Sequence, residues 1–196
     1  MVIGLTGGIA TGKSTVVKML KEEGFTVLDA DEMVHQLQRP GGVLLKMMVE
    51  LFGEIIRNKD GSLNRKQLGD LIFTDDGARR KLDALIHPMV KAQMIQEINE
   101  VKEKHVFLDV PLLFEAGFDD LVDVSVVVSC DERLQIARLI TRNGLSLMDA
   151  KKRIGAQMPL SDKIRRADFH IQNNDTLKVL QQDVKHMLKK IENIGD

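Results

Sequence analysis

Gly7, Gly12, Lys13 and Ser14 stand at the spacing G-x-x-x-x-G-K-[ST] within Gly7-Gly8-Ile9-Ala10-Thr11-Gly12-Lys13-Ser14-Thr15. Glycines there let the backbone turn tightly and approach a polyphosphate with no Cβ in the way. The N–H groups from Gly8 to Thr15 then converge on the anion. The first turn of a following helix adds its unpaired donors and the positive end of its dipole. Lys13 at this position reaches the β- and γ-phosphates, and the Ser14 hydroxyl holds Mg²⁺. A purely structural turn needs no lysine and serine in register with its glycines, so the chemistry is nucleoside triphosphate binding.

Such a loop works only between a strand and a helix. Val2-Ile3-Gly4-Leu5 before it is an apolar run of buried-strand type, and Val16, Val17 and Leu20 after it fall at helical spacing. The helix is expected over Lys13 to Glu23, stopped by Gly24. Phe25 to Leu28 reads as a second strand ending at Asp29-Ala30-Asp31-Glu32, where another helix starts. Ligands of open α/β sheets bind at the carboxyl ends of strands. Position alone therefore offers Asp29 or Asp31 a catalytic role, or a helix-capping one.

From Pro40 to Lys104 the chain reads as almost wholly helical. Leu44, Leu45, Met48 and Phe52 mark one helix ended by Gly53, Asn58 to Gly61 a turn, and Arg65 to Phe73 a further helix. Another is expected from Thr74-Asp75-Asp76 to about His87, with Pro88 opening the next one. This exceeds the crossover that two parallel strands require, so a helical insertion over residues 32–104 is expected, shaping the second substrate's site.

His105 to Pro111 is the third strand and its exit, followed by the unusually apolar Leu112-Leu113-Phe114-Glu115. Val124 to Ser129 has the near-continuous valine of a parallel strand buried on both faces. Asp131 opens a helix carrying Arg133, Arg138 and Arg142; after Asn143-Gly144, Ser146 to Asp149 has the capping-box form of a second helix. This basic helical pair over residues 138–160 reads as a lid hairpin. Phe169-His170-Ile171 is the last strand, and Leu177, Leu180, Val184, Met187, Leu188 and Ile191 form one apolar helix face. The alternation predicts an α/β fold, a parallel sheet covered by helices on both faces.

Composition narrows the class of partner. With 43% hydrophobic and 29% charged residues the chain is globular rather than disordered, and 196 residues suit one domain with insertions. A net charge of -1 supplies no field toward nucleic acid or membrane surfaces. The lone Cys130 excludes an intramolecular disulfide and reads as a small buried apolar residue. No signal peptide is evident, and no apolar run approaches the ~20 residues that span a bilayer. A soluble cytoplasmic protein is expected, monomeric by default, with no nucleic-acid and no membrane partner.

A phosphate loop alone does not separate GTPases, motor ATPases and small-molecule kinases. Asn58-Lys59-Asp60-Gly61 resembles a base-reading N-K-x-D but misses its spacing, and Asp109-Val110-Pro111-Leu112 lacks a switch glycine. No strand ends in the Asp-Glu pair usual for motors. A small kinase with a mobile basic lid remains.

The chain then resembles the dephospho-coenzyme A kinase family over essentially its whole length. The resemblance rests on Gly4 to Ile9 with the loop, Leu28-Asp29-Ala30-Asp31, Leu85-Ile86-His87-Pro88 and Val110 to Glu115. It continues through Arg138 to Gln157 and Ala167-Asp168 to Ile171 with Asn173. Ala10-Thr11 replaces the family's common Gly-Ser, and Asn174 stands where glycine often follows the asparagine. The resemblance implies transfer of the ATP γ-phosphoryl group to the ribose 3′-hydroxyl of dephospho-CoA, the last step of coenzyme A biosynthesis. It implies a P-loop, nucleoside monophosphate kinase-like fold with a five-stranded parallel core, a helical CoA-binding region and a lid.

Asp31, Lys13 and Arg142 are the expected catalytic residues, with Mg²⁺ on Ser14 and ATP as donor. Gly8, Ile9, Ala10, Thr11, Gly12, Ser14, Thr15, Arg138 and Asn173 join Lys13 in binding ATP. Asp31, His87, Pro111, Leu112 and Glu115 are expected at dephospho-CoA. His87 is alternatively a helix-end histidine packed in the core, and Asp109 either supports Mg²⁺ through water or simply ends a strand. Rival functions are a kinase of another small acceptor, such as a nucleoside monophosphate or a metabolite alcohol, and a non-catalytic nucleotide sensor.

Overall fold

In the computed structural model, which describes residues 1–194, the apolar run before the glycine loop is strand β1 (Val2–Gly7), buried from Ile3 onward. The chain continues through α1 (Lys13–Glu22), β2 (Thr26–Asp29), α2 (Ala30–Leu37), α3 (Val43–Phe52), α4 (Arg65–Thr74) and α5 (Asp76–Glu100). It then forms β3 (Val106–Asp109), β4 (Val124–Ser129), α6 (Glu132–Asn143), α7 (Leu147–Gly155), α8 (Leu160–Arg166), β5 (Phe169–Gln172) and α9 (Leu177–Glu192).

The strands make one five-stranded sheet in the order β2-β3-β1-β4-β5. Parallel registers place Leu5 opposite Asp109 on one side and Val126 on the other, and Val128 opposite Ile171. The expected α/β class with a five-stranded parallel sheet is therefore observed. Ile3, Leu5, Val124, Val126 and Val128 project to one face, where they meet Val16, Met19 and Leu20 of α1 and Leu180, Val184, Met187, Leu188 and Ile191 of α9. Each such side chain, fully buried, contributes about 1.5–3 kcal/mol. Leu177, counted in the apolar face of α9, is instead 58% exposed at the helix's first position. On the other face a Cβ on Gly4 would lie 3.0 Å from Leu113 and Val122, so the segment after β3 packs directly on the strand. Helix α8 lies against β4 there.

Helix ends follow local chemistry. Gly24 takes φ 91° after α1, and its N–H and that of Phe25 return to Lys21 and Leu20 carbonyls. Ser146 accepts the Asp149 N–H at 3.1 Å, but the Asp149 carboxylate accepts the Ser146 hydroxyl at 2.6 Å. Half of the expected capping box is thus made. Cys130 is buried, as its apolar neighbours suggested, and burial pushes its thiol pKa up.

The chain divides into two compact units, one from Met1–Leu28 with the chain from Val101 onward, the other Asp29–Glu100. The second unit has its own core of Leu44, Leu45, Met48, Ile56, Leu63, Leu68 and Leu82. Here the expected helix break at Pro88 does not occur, because α5 runs unbroken across it. An internal proline loses one backbone bond and strains the turn before it, a cost of about 3 kcal/mol. Apolar contacts on both sides of the proline offset this: Leu82, Leu85, Ile86 and Met89 pack on the unit's core, and Val90 and Met94 are buried beyond. A second departure is α8, seven residues that show too little periodicity to be seen as a helix.

No helix among the described residues is long and apolar enough to cross a membrane.

Candidate active site

The phosphate loop is built by exclusion of side chains. A Cβ on Gly7 would lie 2.6 Å from the Val128 carbonyl, so only glycine permits the close approach of loop and β4. Gly12 has φ 97°, and a Cβ there would collide with the Asn173 carboxamide. Thr11 is fully buried, and its hydroxyl donates to the Gly8 carbonyl at 2.9 Å, folding the loop onto itself. Gly12 caps α1 and has no side chain with which to accept the first-turn N–H groups. Uncapped amides at the positive end of a helix form an anion site. Ala10 adopts φ 60°, the one non-glycine residue with positive φ among those described.

Lys13 opens α1 and forms an ion pair with Asp109, the last residue of β3. Their side chains are 17% and 8% exposed. Asp109 is therefore the lysine's carboxylate partner, a role absent from the two expected of it. Ser14 is exposed on the first turn of α1. No group of three or more His, Cys, Asp or Glu able to hold a metal occurs among the described residues. A Mg²⁺ held mainly by phosphate oxygens and water, with one hydroxyl from the protein, fits that donor set.

Helix α6 holds the loop from the side. The Arg138 guanidinium donates to the carbonyls of Ala10 (3.2 Å), Thr11 (3.1 Å) and Asn173 (3.2 Å). The Asn173 Nδ2 donates to the Thr11 carbonyl at 2.8 Å. Arg138 and Asn173 thus meet at the loop, whereas Arg142, one turn outward, is exposed and donates to Asn143. Asn174, the departure from the family pattern, is clamped to Asp131 by bonds of 2.8 Å in each direction.

Two glutamines were not foreseen. Gln135 donates to the Ile9 carbonyl at 2.8 Å, and Gln157 accepts the Ile9 N–H at 2.7 Å. Gln135 lies three residues before Arg138, on the same helix face, so spacing could have revealed it. Gln157 follows α7 and has no local signal. A cavity of about 660 Å³ opens here, lined by Gly8, Gln135, Gln157, Leu160, His170 and Gln172 among others.

The segment after β3 is anchored by its polar groups. The Pro111 carbonyl accepts the Thr6 hydroxyl at 3.0 Å and the Lys163 ammonium at 2.8 Å. Glu115 pairs with Lys163 at 2.8 Å and accepts the Met158 N–H at 3.2 Å. Leu112 is 38% exposed while Leu113 is fully buried.

In the helical unit, one geometric fact separates the two aspartates. The Asp29 carboxylate accepts the N–H groups of Asp31 (2.8 Å) and Glu32 (3.1 Å), capping α2. Asp31, in the first turn, keeps an exposed carboxylate that takes no part in the cap. His87 lies inside α5, partly buried, instead of at a helix end.

Comparison with known proteins adds four likenesses. Residues 1–178 match the family model described as dephospho-CoA kinase. The chain is 48% identical over 179 residues to the dephospho-CoA kinase of Symbiobacterium thermophilum, covering 90% of this chain and 75% of that one. Among solved structures, TT1252 from Thermus thermophilus is similar at 32% identity and TM-score 0.84, with 97% of each chain covered. A dephospho-CoA kinase from Campylobacter jejuni is similar at 27% identity and TM-score 0.74, covering 100% of this chain and 98% of its own.

Proposed function

The chain belongs to the dephospho-CoA kinase family, and from that premise we propose that it phosphorylates dephospho-CoA with ATP, yielding CoA and ADP. The acceptor is the ribose 3′-hydroxyl. The observation carrying this reading is the uncapped glycine loop whose lysine is held by Asp109, two residues before the anchored Pro111 segment.

Phosphoryl transfer leaves little covalent work to a protein, so positioning and charge stabilisation dominate. The 3′-oxygen bonds to the γ-phosphorus, the bond to the bridging oxygen breaks, and ADP leaves with that electron pair. Backbone N–H groups from Gly8 to Thr15 hold the phosphates, except those of Ile9, Thr11 and Thr15, which Gln157 and the Gly8 and Gly12 carbonyls accept. Lys13 has three donors, so Asp109 can retain one while others follow the γ-phosphoryl oxygens. Ser14 would hold Mg²⁺, which would neutralise phosphate charge.

Asp31 receives the hydroxyl proton. A carboxylate is a far weaker base than an alkoxide, so the proton moves late, when the oxygen has begun to bond. The capping role of Asp29 supports this assignment, since it leaves the Asp31 carboxylate outside the cap. Arg142 neutralises the transferring group and Arg138 fixes the ATP side of the loop. A planar guanidinium matches phosphate oxygens better than an ammonium does. Residues 138–160 act as the lid and residues 32–104 as the CoA-binding insertion, with His87 there and Pro111, Leu112 and Glu115 also at the acceptor. The reaction takes place in the cytoplasm.

The test is phosphorus NMR of the product formed from ATP, Mg²⁺ and dephospho-CoA. Coupling of the new phosphorus to the ribose 3′ proton is expected; a phosphate on any other position, or no product, overturns the proposal.

A further inference from the structure

Lys163 is fully buried, although lysine is among the residue types least often found so. It sits in α8, and its Nζ lies 2.8 Å from the Pro111 carbonyl and 2.8 Å from Glu115 Oε1. An ammonium taken out of water is costly unless it is paired and hydrogen-bonded, and apolar residues of similar volume commonly replace buried ion pairs without loss of stability. Core packing alone therefore gives little reason for a lysine here. Both of its partners lie in one segment, the one that follows Asp109.

The same helix grips that segment again. The Arg166 guanidinium stands 4.5 Å from the centre of the Phe114 ring and pairs with Asp119 at 2.8 Å. Two of the residues between α7 and the proline that precedes α8 serve both loops: Gln157 accepts the Ile9 N–H, and the next N–H, that of Met158, goes to Glu115. One short stretch, residues 157–166, thus ties the phosphate loop to the segment carrying Pro111, Leu112 and Glu115.

We propose that Lys163 is a positioning residue for phosphoryl transfer, fixing the Pro111 carbonyl and the Glu115 carboxylate so that this segment holds the acceptor in register with Asp109 and Lys13. The proposal rests on the acceptor role given above to Pro111, Leu112 and Glu115. Removing the ammonium leaves Glu115 with the Met158 N–H alone among the described residues and takes from the Pro111 carbonyl one of its two donors. The loss should fall on the acceptor and not on ATP.

Lys163→Met, Glu115→Gln and the double variant test this by steady-state kinetics with each substrate varied in turn. Lys163→Met is expected to raise the KM for dephospho-CoA and lower kcat, reducing kcat/KM about tenfold while the KM for ATP stays unchanged. The double variant is expected to be no worse than the worse single one, since both break one interaction. Lys163→Arg, which keeps the charge, should recover part of the loss.

A folded Lys163→Met with unchanged acceptor kinetics overturns the proposal, as do strictly multiplicative effects in the double variant. If Lys163→Met does not fold, Lys163→Arg decides: a raised KM for dephospho-CoA with an unchanged KM for ATP supports the proposal, and normal acceptor kinetics overturns it. Turnover of dephospho-CoA by the unaltered protein is measured first, so failure of the function itself is seen separately.

Discussion

Lys13 and Asp109 form an ion pair between the first turn of α1 and the carboxyl end of β3. The residue proposed to reach phosphate is thus held by the strand whose exit leads into the Pro111 segment. Strand register explains the pairing: Leu5 on β1 faces Asp109 on β3, so the loop leaving β1 passes directly over this carboxylate.

Lys13→Ala removes both the proposed phosphate contact and a partner of a buried carboxylate. Loss of a charged group placed on developing phosphoryl charge is expected to lower kcat by about 10²–10³-fold. Asp109→Asn keeps the shape but not the charge, and a smaller loss is expected. Steady-state rates with both substrates saturating check this; a Lys13→Ala variant with ordinary turnover contradicts the loop assignment.

Asp31→Asn keeps the helix start, because Asp29 supplies the cap. A positioned proton acceptor is worth about 10²–10⁴-fold, so kcat should fall within that range while ATP affinity holds. Single-turnover kinetics alongside ATP titration separate the two effects. Unchanged turnover removes Asp31 from the mechanism.

The parts legible in the sequence were those whose signal is local. Gly7 to Ser14 is one contiguous motif, and the valine run of β4 announces a strand buried on both faces. Lys163 could not be found that way, because its partner Pro111 lies 52 residues away and α8 is too short to show a period. Gln157 and Ile9 are 148 residues apart. Asp29 and Asp31 were chemically equivalent until the hydrogen bonds to the α2 amides distinguished them. Pro88 misled for a physical reason: its local preference against a helix interior was outweighed by apolar contacts on either side of it.

Ala10→Gly should stabilise the protein. An L-residue in the left-handed region costs about 1–2 kcal/mol, against a loss of about 0.4–1 kcal/mol from glycine's freer unfolded chain. The net gain is on the order of 0.5 kcal/mol, a rise in Tm of about 1–2 °C for a domain of this size. Calorimetry checks it, and a lower Tm would contradict the strain assigned to φ 60°.

Stability should fall as pH drops below the ordinary histidine value of 6.5. Burial, followed by the positive amino terminus and Lys104, holds the His105 pKa down, and burial does the same for His170. The buried His105 Nε2 has no hydrogen-bond partner among the described residues. A histidine kept neutral by folding binds its proton on unfolding, so its stabilisation is complete above 6.5 and is lost as pH falls through the folded value. Asp60 and Glu103, lowered by hydrogen bonds from Ser62 and Thr26 respectively, act below this window. Tm measured between about pH 7.5 and 5.5 should decline, and less steeply in His105→Leu. Equal slopes in the two proteins would contradict this.

The central claim concerns the acceptor, which the phosphate loop alone does not specify. Coupled ADP release across dephospho-CoA, a nucleoside monophosphate and a simple metabolite alcohol measures it most directly. Release with dephospho-CoA well above the ATP-only blank, and above the other acceptors in kcat/KM, is expected. Release with another acceptor, and none with dephospho-CoA above the blank, would contradict the account.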